Sequence, residues 1–370
     1  MHVILMMKGP VQPVSRPTAS PDRTASICPH RLLAIRGVRG FFLHFSLISL
    51  FLTLLFSNAL LAQEVTFDRI GENEGLTSSN LYRIYQDQSG FLWVCTINGL
   101  YQYDGLKFRL FRSDPTRTEG FSEDFVKQYM EDREGNGLAI TDNGQLYLLG
   151  PKDSSFRRLS LTSSVTGTGP IQVRQMALDA NGRILVIVSG QGLLQLDLTN
   201  GRLTVPSGLE EIAPGVKIMA LDSDNGDLWF IAGTMLHVLP AQTSGGGQPH
   251  LQPGIELGIT QVNDLMVDRS GSVWLGGYDD RVICYDPHSQ SFRDYPYQHS
   301  DQSGFSGAPN RVNSLSEDLD GTIWIGTNYT GVIQLDPQSG KMTELTYDRD
   351  DPESLSSNTV TDVFCDRTGI

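Results

Sequence analysis

An internal repeat of 44 to 50 residues dominates the chain. A period of that size confines the fold to an array of small supersecondary units, each burying its apolar face only against its neighbours. Asp87-Gln-Ser-Gly90-Phe-Leu-Trp93 returns as Asp268-Arg-Ser-Gly271-Ser-Val-Trp274 and as Asp318-Leu-Asp-Gly321-Thr-Ile-Trp324. Asp224-Asn-Gly226-Asp-Leu-Trp229 is one residue tighter, and weaker copies stand at Asp132–Gly135 and Asp179–Gly182. The chain's last residues, Asp366-Arg-Thr-Gly369-Ile370, open another copy. The anchoring glycines 90, 135, 182, 226, 271, 321 and 369 are spaced 45, 47, 44, 45, 50 and 48 apart. All four tryptophans of the chain lie three residues after such a glycine.

Each copy reads as four short strands. Asp-x-x-Gly is a turn in which the Asp side chain caps and Gly supplies positive φ. Leu-Trp-Val or Ile-Trp-Ile is a short buried strand, and its tryptophan packs between neighbouring sheets. Gly331–Asp336 supplies a third strand, Asp-Pro-Gln-Ser-Gly340 a turn, and Lys341–Tyr347 a fourth. Four antiparallel strands in about 45 residues make a propeller blade. The expectation is an all-β chain, a β-propeller of four-stranded antiparallel blades, with six full repeats between Asn80 and Tyr347. Residues 65–80 parallel 343–358, so Val65–Ile70 reads as the outer strand of a shared closing blade. On that reading the ring is seven-bladed, its last blade is truncated in this chain, and the open edges leave the isolated body unstable or self-associating.

The termini divide by composition. Residues 1–62 hold six basic residues against the single acid Asp22. Arg31, Arg36 and Arg39 precede the apolar run that starts at Phe41 and ends in Ser-Asn-Ala-Leu-Leu-Ala62. That order is the layout of a secretory signal, and about 20 apolar residues also suffice for an uncleaved anchor. The domains are therefore 1–62, a basic region with signal peptide or signal anchor, and 63–370, an exported propeller. The latter has 22 basic and 41 acidic residues, a net charge of −19. So acidic a body is repelled by nucleic acid, which is set aside as a partner. The cysteines Cys28, Cys95, Cys284 and Cys365 are scattered, without metal-like spacing, and read as free thiols.

The motif D-x-x-G-x-L-W-I-G-T followed by G-x-x-x-Y/L-D resembles the two-component regulator propeller repeat. The match is fullest at Asp318–Asp336, and Asn73–Asn80 resembles the lead-in to that family's first repeat. Repeats near 135, 182 and 226 lack either the tryptophan or the Gly-Thr. The resemblance implies the periplasmic sensor region of a membrane signalling protein, often detecting carbohydrate fragments. Its output module, a histidine kinase or a diguanylate cyclase, would lie further along the polypeptide, and a homodimer is a possible state of the full-length form. No catalytic activity is expected in this segment, and no cofactor or metal is expected. A propeller enzyme of quinoprotein, lyase or glycosidase type, or a protein-interaction scaffold, is the alternative.

Chemistry-bearing motifs are sparse. His237, His250, His288 and His299 form no HxxxH or HExxH pattern. Asp222–Asp227 lacks the Gly and closing Glu of a calcium loop and reads as a turn. A ligand site is sought instead on the rim shared by the second-to-third-strand loops and the between-blade connections. The candidates there are Asn98, Asn143, Tyr278, Asp279, Asp280, Asn328 and Tyr329, with His250, Tyr297 and His299 in the connections. Aromatic rings beside amides and carboxylates suit a small-molecule ligand such as a glycan fragment. The structural anchors are Gly90, Trp93, Trp229, Gly271, Trp274, Gly321 and Trp324.

Overall fold

The computed structural model describes residues 65–370 except 79, 113–120, 122–123, 153–154, 166–169, 242–250, 259–260, 279, 298–309 and 370, and adds a short strand, Ile4–Met7. The expected signal or anchor segment thus lies, apart from that strand, outside the described residues. No α-helix occurs among the described residues; short 3-10 turns cover Glu72–Glu74 and Ala213–Gly215.

Six antiparallel sheets follow one another along the chain, each opening on an inner strand and running outward. Blade 1 consists of Leu81–Gln86, Leu92–Thr96, Gly99–Tyr103 and Phe108–Phe111. Blades 2 to 6 begin at Val126, Val173, Val216, Val262 and Val312, and blade 6 ends at Leu345. Blade 3 gains a fifth, parallel strand, Thr162–Ser163. The expected seventh blade is not formed. A blade needs four mutually bonded strands, and past blade 6 the described chain supplies one extended segment, 360–366. Phe67–Ile70 likewise joins no four-stranded sheet; it pairs with Ile4–Met7, and the Phe67 N–H reaches the Glu353 carbonyl.

The apolar core lies between blades. Leu138, Ile140 and Leu146 of blade 2 meet Val173, Met176 and Val186 of blade 3. Trp229 and Ile231 of blade 4 meet Leu265 and Val273 of blade 5. Trp274 and Cys284 of blade 5 meet Val312, Leu315 and Ile323 of blade 6. The glycine in Trp-x-Gly has a packing cause. A Cβ on Gly276 would stand 2.4 Å from a Val312 methyl, so the neighbouring inner strand needs that space.

The Asp-x-x-Gly turn does more than cap. Asp268 accepts N–H bonds from Ser270 and Ser272 on Oδ1, and its Oδ2 takes the indole N–H of Trp274 at 2.7 Å. The same indole bond joins Trp93 to Asp87 at 2.8 Å and Trp324 to Asp318 at 2.7 Å. Where tryptophan is missing, another donor fills the position: Asn136 to Asp132 in blade 2, and Arg183 to Asp179 in blade 3. The glycines take positive φ, 92° at Gly90 and 82° at Gly271.

Every inner strand carries a bulge at its second residue, because the register with the next strand skips from residue one to residue three. A bulge frees its extra residue from the ladder and re-aims that side chain. The third residue then reaches sideways. Gln128 of blade 2 both donates to the Met176 carbonyl and accepts from the Met176 N–H in blade 3. Gln175 of blade 3 does the same to Met219 of blade 4. Asp264 of blade 5 accepts the Leu315 N–H of blade 6.

Segment 360–366 obeys this rule. Asn313 donates to the Val360 carbonyl as Asn263 donates to that of Val312. Asp362 accepts the Ile84 N–H of blade 1 at 2.7 Å. The segment therefore stands between blade 6 and blade 1 in the register of an inner strand.

Candidate functional site

The structure separates the expected site residues into two sets. Asn98 and Asn143 serve their own turns. The Asn98 N–H bonds to the Thr96 hydroxyl, and the Asn143 carbonyl oxygen accepts from the Thr141 hydroxyl and the Gln145 N–H. They lie on blades 1 and 2, away from the other candidates. Tyr278, Asp280, Asn328 and Tyr329 come together where blades 5 and 6 meet. Asp279, His250 and His299 fall outside the described residues.

Two residues that the sequence reading passed over bring this cluster together, Asn310 and Arg311, both just ahead of the blade 6 inner strand. The Asn310 N–H donates to the Asp280 carboxylate at 2.6 Å. Its side-chain oxygen accepts the Tyr329 N–H at 2.9 Å, and its amide donates to the Thr330 hydroxyl at 2.6 Å. Its carbonyl takes the Tyr297 hydroxyl proton. Asn310 is wholly buried. A buried amide using donor, acceptor and backbone at once fixes both loops rigidly. Arg311 lies 5.6 Å over the Tyr278 ring, donates to the Tyr278 hydroxyl and to the Asn313 side chain, and through its carbonyl holds the Asn328 N–H. Asp280 takes φ 51°, an uncommon value for a residue with a side chain, and its hydrogen bonds hold it there. A signal for Asn310 is present in the sequence, since Asn358 stands, like it, two residues before an inner segment.

The face presented by this cluster combines exposed tyrosine ring, amides and guanidinium. Tyr278 is 36% exposed, and Tyr329 and Asn328 are half-buried. A preformed surface of this kind suits a hydroxylated solute, whose apolar face lies on the ring while its hydroxyls meet the polar groups.

Below the rim, charged groups gather near the axis. Arg83 reaches from blade 1 to Asp264 at 2.9 Å and Asp362 at 3.3 Å. Both carboxylates hold the Arg83 guanidinium above its ordinary pKa, against the effect of burial. Burial pushes Asp362 up to about 6, opposed by Arg83, the Ser314 hydroxyl and the Ile84 N–H. This group joins blades 1, 5 and 6 with segment 360–366 and is structural in its contacts.

On the opposite face a cavity of about 360 Å³ opens between the turns of blades 5 and 6, lined by Asp268, Ser272, Asp286, Arg293, Tyr295 and Gln338 among others. Its carboxylates are spent on their own turns: Asp286 accepts from His288 and Ser289 as Asp268 does from Ser270, Ser272 and Trp274. Cys284 at its floor is buried, and burial raises its thiol to about 12. Cys95 is also a buried free thiol, and Cys365 is free and half-buried.

Six successive blades, each built on four antiparallel strands, define the chain as a β-propeller. Residues 75–98 and 306–329 match the two-component regulator propeller family. Both matched stretches end at the second-to-third-strand loop, at Asn98 and Tyr329. No curated protein matches. Among solved structures, the extracellular domain of the hybrid two-component system BT3049 from B. thetaiotaomicron is 18% identical with a TM-score of 0.62, over 82% of this chain and 40% of that one. The extracellular domain of BT4673 from the same organism is 20% identical with a TM-score of 0.58, over 80% and 37%. Virginiamycin B lyase from Staphylococcus aureus is 13% identical with a TM-score of 0.51, over 72% and 83%. At these identities the likeness is one of fold. The chain spans well under half the length of the two extracellular domains.

Proposed function

We propose that residues 63–370 are the exported, ligand-sensing propeller of a membrane-bound signalling protein of two-component type, and that the ligand is a small hydroxylated solute such as a glycan fragment. The observation that carries this reading is the rim cluster of blades 5 and 6, where Tyr278, Asp280, Asn328 and Tyr329 are locked by Asn310 and Arg311 into one preformed surface. The family repeats support the sensor class. The basic-then-apolar layout of residues 31–62 supports export and a periplasmic location at the membrane.

In this reading the chain binds and does no chemistry; among the described residues the rim shows no nucleophile with an adjacent base. The test is calorimetric titration of the full chain with a panel of oligosaccharides. A bound member should lose affinity roughly tenfold or more on Tyr278→Ala, the loss of one aromatic stacking partner. Binding that survives both Tyr278→Ala and Tyr329→Ala unchanged would move the site off this rim.

A further inference from the structure

The inner circle of the rim face is opposite in charge to the propeller around it. Two residues of each inner strand lie there: the one just before the strand, and the bulged second residue. Ring and amide contacts between neighbouring blades fix this placement, with Tyr82 against Phe125 at 4.5 Å and Asn263 donating to the Val312 carbonyl. Over six inner strands and Thr359 and Thr361 of the following segment, these are fourteen residues, of which four are basic and none is acidic. The four are Lys127, Arg174, Lys217 and Arg311. The body as a whole carries 41 acidic residues against 22 basic ones, so the circle runs against the trend of the molecule.

Most of this charge is not neutralised. Lys127 meets Asp142 at 2.6 Å. Arg174 donates to the Ser189 hydroxyl and Arg311 to Asn313 and Tyr278, which are neutral partners. Arg174 and Lys217 are exposed, and among the described residues neither they nor Arg311 enter an ion pair. The nearby Asp280 carboxylate accepts the Asn310 N–H and, among the described residues, forms no ion pair with these cations, and the acids Glu210 and Glu211 lie in the connection between blades 3 and 4. A circle of one sign inside an acidic body raises the local potential near the axis and draws anions there.

We propose that this circle is an anion-binding site, and that the sensed solute is an acidic oligosaccharide whose carboxylate or sulfate lies at the axis while its sugar rings reach the tyrosines of blades 5 and 6. The assignment rests on the solute-sensing reading of the same rim and names the ligand class. Arg311 belongs to both parts, contacting Tyr278 and standing in the circle, and so links the anion to the stacking surface.

The test is titration of the full chain with tetragalacturonate, and in parallel with neutral cellotetraose, at low and high salt. Tetragalacturonate should bind, should weaken with salt, and should lose roughly tenfold or more in affinity in the pair Arg174→Glu/Lys217→Glu. Lys341→Glu, in a turn on the far face, should leave binding unchanged. Circular dichroism melts of each variant exclude misfolding as the cause. If tetragalacturonate binds the charge-reversed pair as well as wild type, or cellotetraose binds equally and without salt dependence, the anion assignment falls and solute sensing stands. If neither oligosaccharide binds, both fall.

Discussion

At the residue scale, the repeat is held by a few side chains with more than one task. Asp268 caps its turn and satisfies the buried Trp274 indole. Removing it leaves a buried donor unpaired and uncaps the turn, so Asp268→Ala should cost about 3 kcal/mol in chemical denaturation. Asp336→Ala, in an exposed turn without an indole, should cost far less. Gly276→Ala places a methyl against Val312 and should destabilise by about 1–3 kcal/mol through overpacking. Asp362 yields a pH prediction. Its folded pKa of about 6 lies above the ordinary carboxylate value, so the fold disfavours its ionised form. Its contribution is therefore full below about pH 4 and is lost as pH rises through about 6, a difference of about 2–3 kcal/mol. Relative to Asp362→Asn, the wild-type protein should become less stable by that amount between those limits, as measured by denaturant unfolding across the range. A constant difference would show that Asp362 does not titrate there.

At the element scale, strand identity was legible in the sequence because Asp-x-x-Gly and Trp mark the same point in each unit. Six blades are found from Leu81 to Leu345, close to the expected Asn80 to Tyr347. The inner-strand bulge was not legible. It changes no residue type and displaces only one pairing, so alternation in segments such as Val262–Val267 looks the same with or without it. The fate of Val65–Ile70 was misread for a related reason: likeness to residues 343–348 gave a strand but not its partner, and pairing depends on contacts distant in sequence. Asn98 and Asn143 were chosen by loop position alone, which does not distinguish an amide serving its turn from one facing solvent. Tyr278 and Tyr329 fall on rim loops by their place in the repeat, but the residue that ties those loops together, Asn310, has its counterpart only at Asn358, too thin a pattern to single it out.

At the scale of the whole molecule, the ring is held by ties between neighbouring blades, with Arg83 joining blade 1 to Asp264 and Asp362 near the axis. Arg83→Ala should strip two buried carboxylates of their partner and, because the Arg83 side chain is itself partly exposed and screened, cost about 1–3 kcal/mol, seen as a lower denaturation midpoint. A cooperative melt unchanged by this substitution would mean that the axial cluster does not hold the ring. The described part of the rim stands on these blades, and a preformed rim is what the proposed sensing of small solutes requires.

The most direct test of that central claim is amide hydrogen exchange on the full chain with and without a bound oligosaccharide. Added protection should appear in 278–281, 310–313 and 327–330, where the tyrosine cluster and Arg311 stand, and extend to 127 and 174 for an acidic ligand. Protection confined to the Asp-x-x-Gly turns and the cavity near Trp274, with the rim unchanged, would place the site on the opposite face and contradict the account.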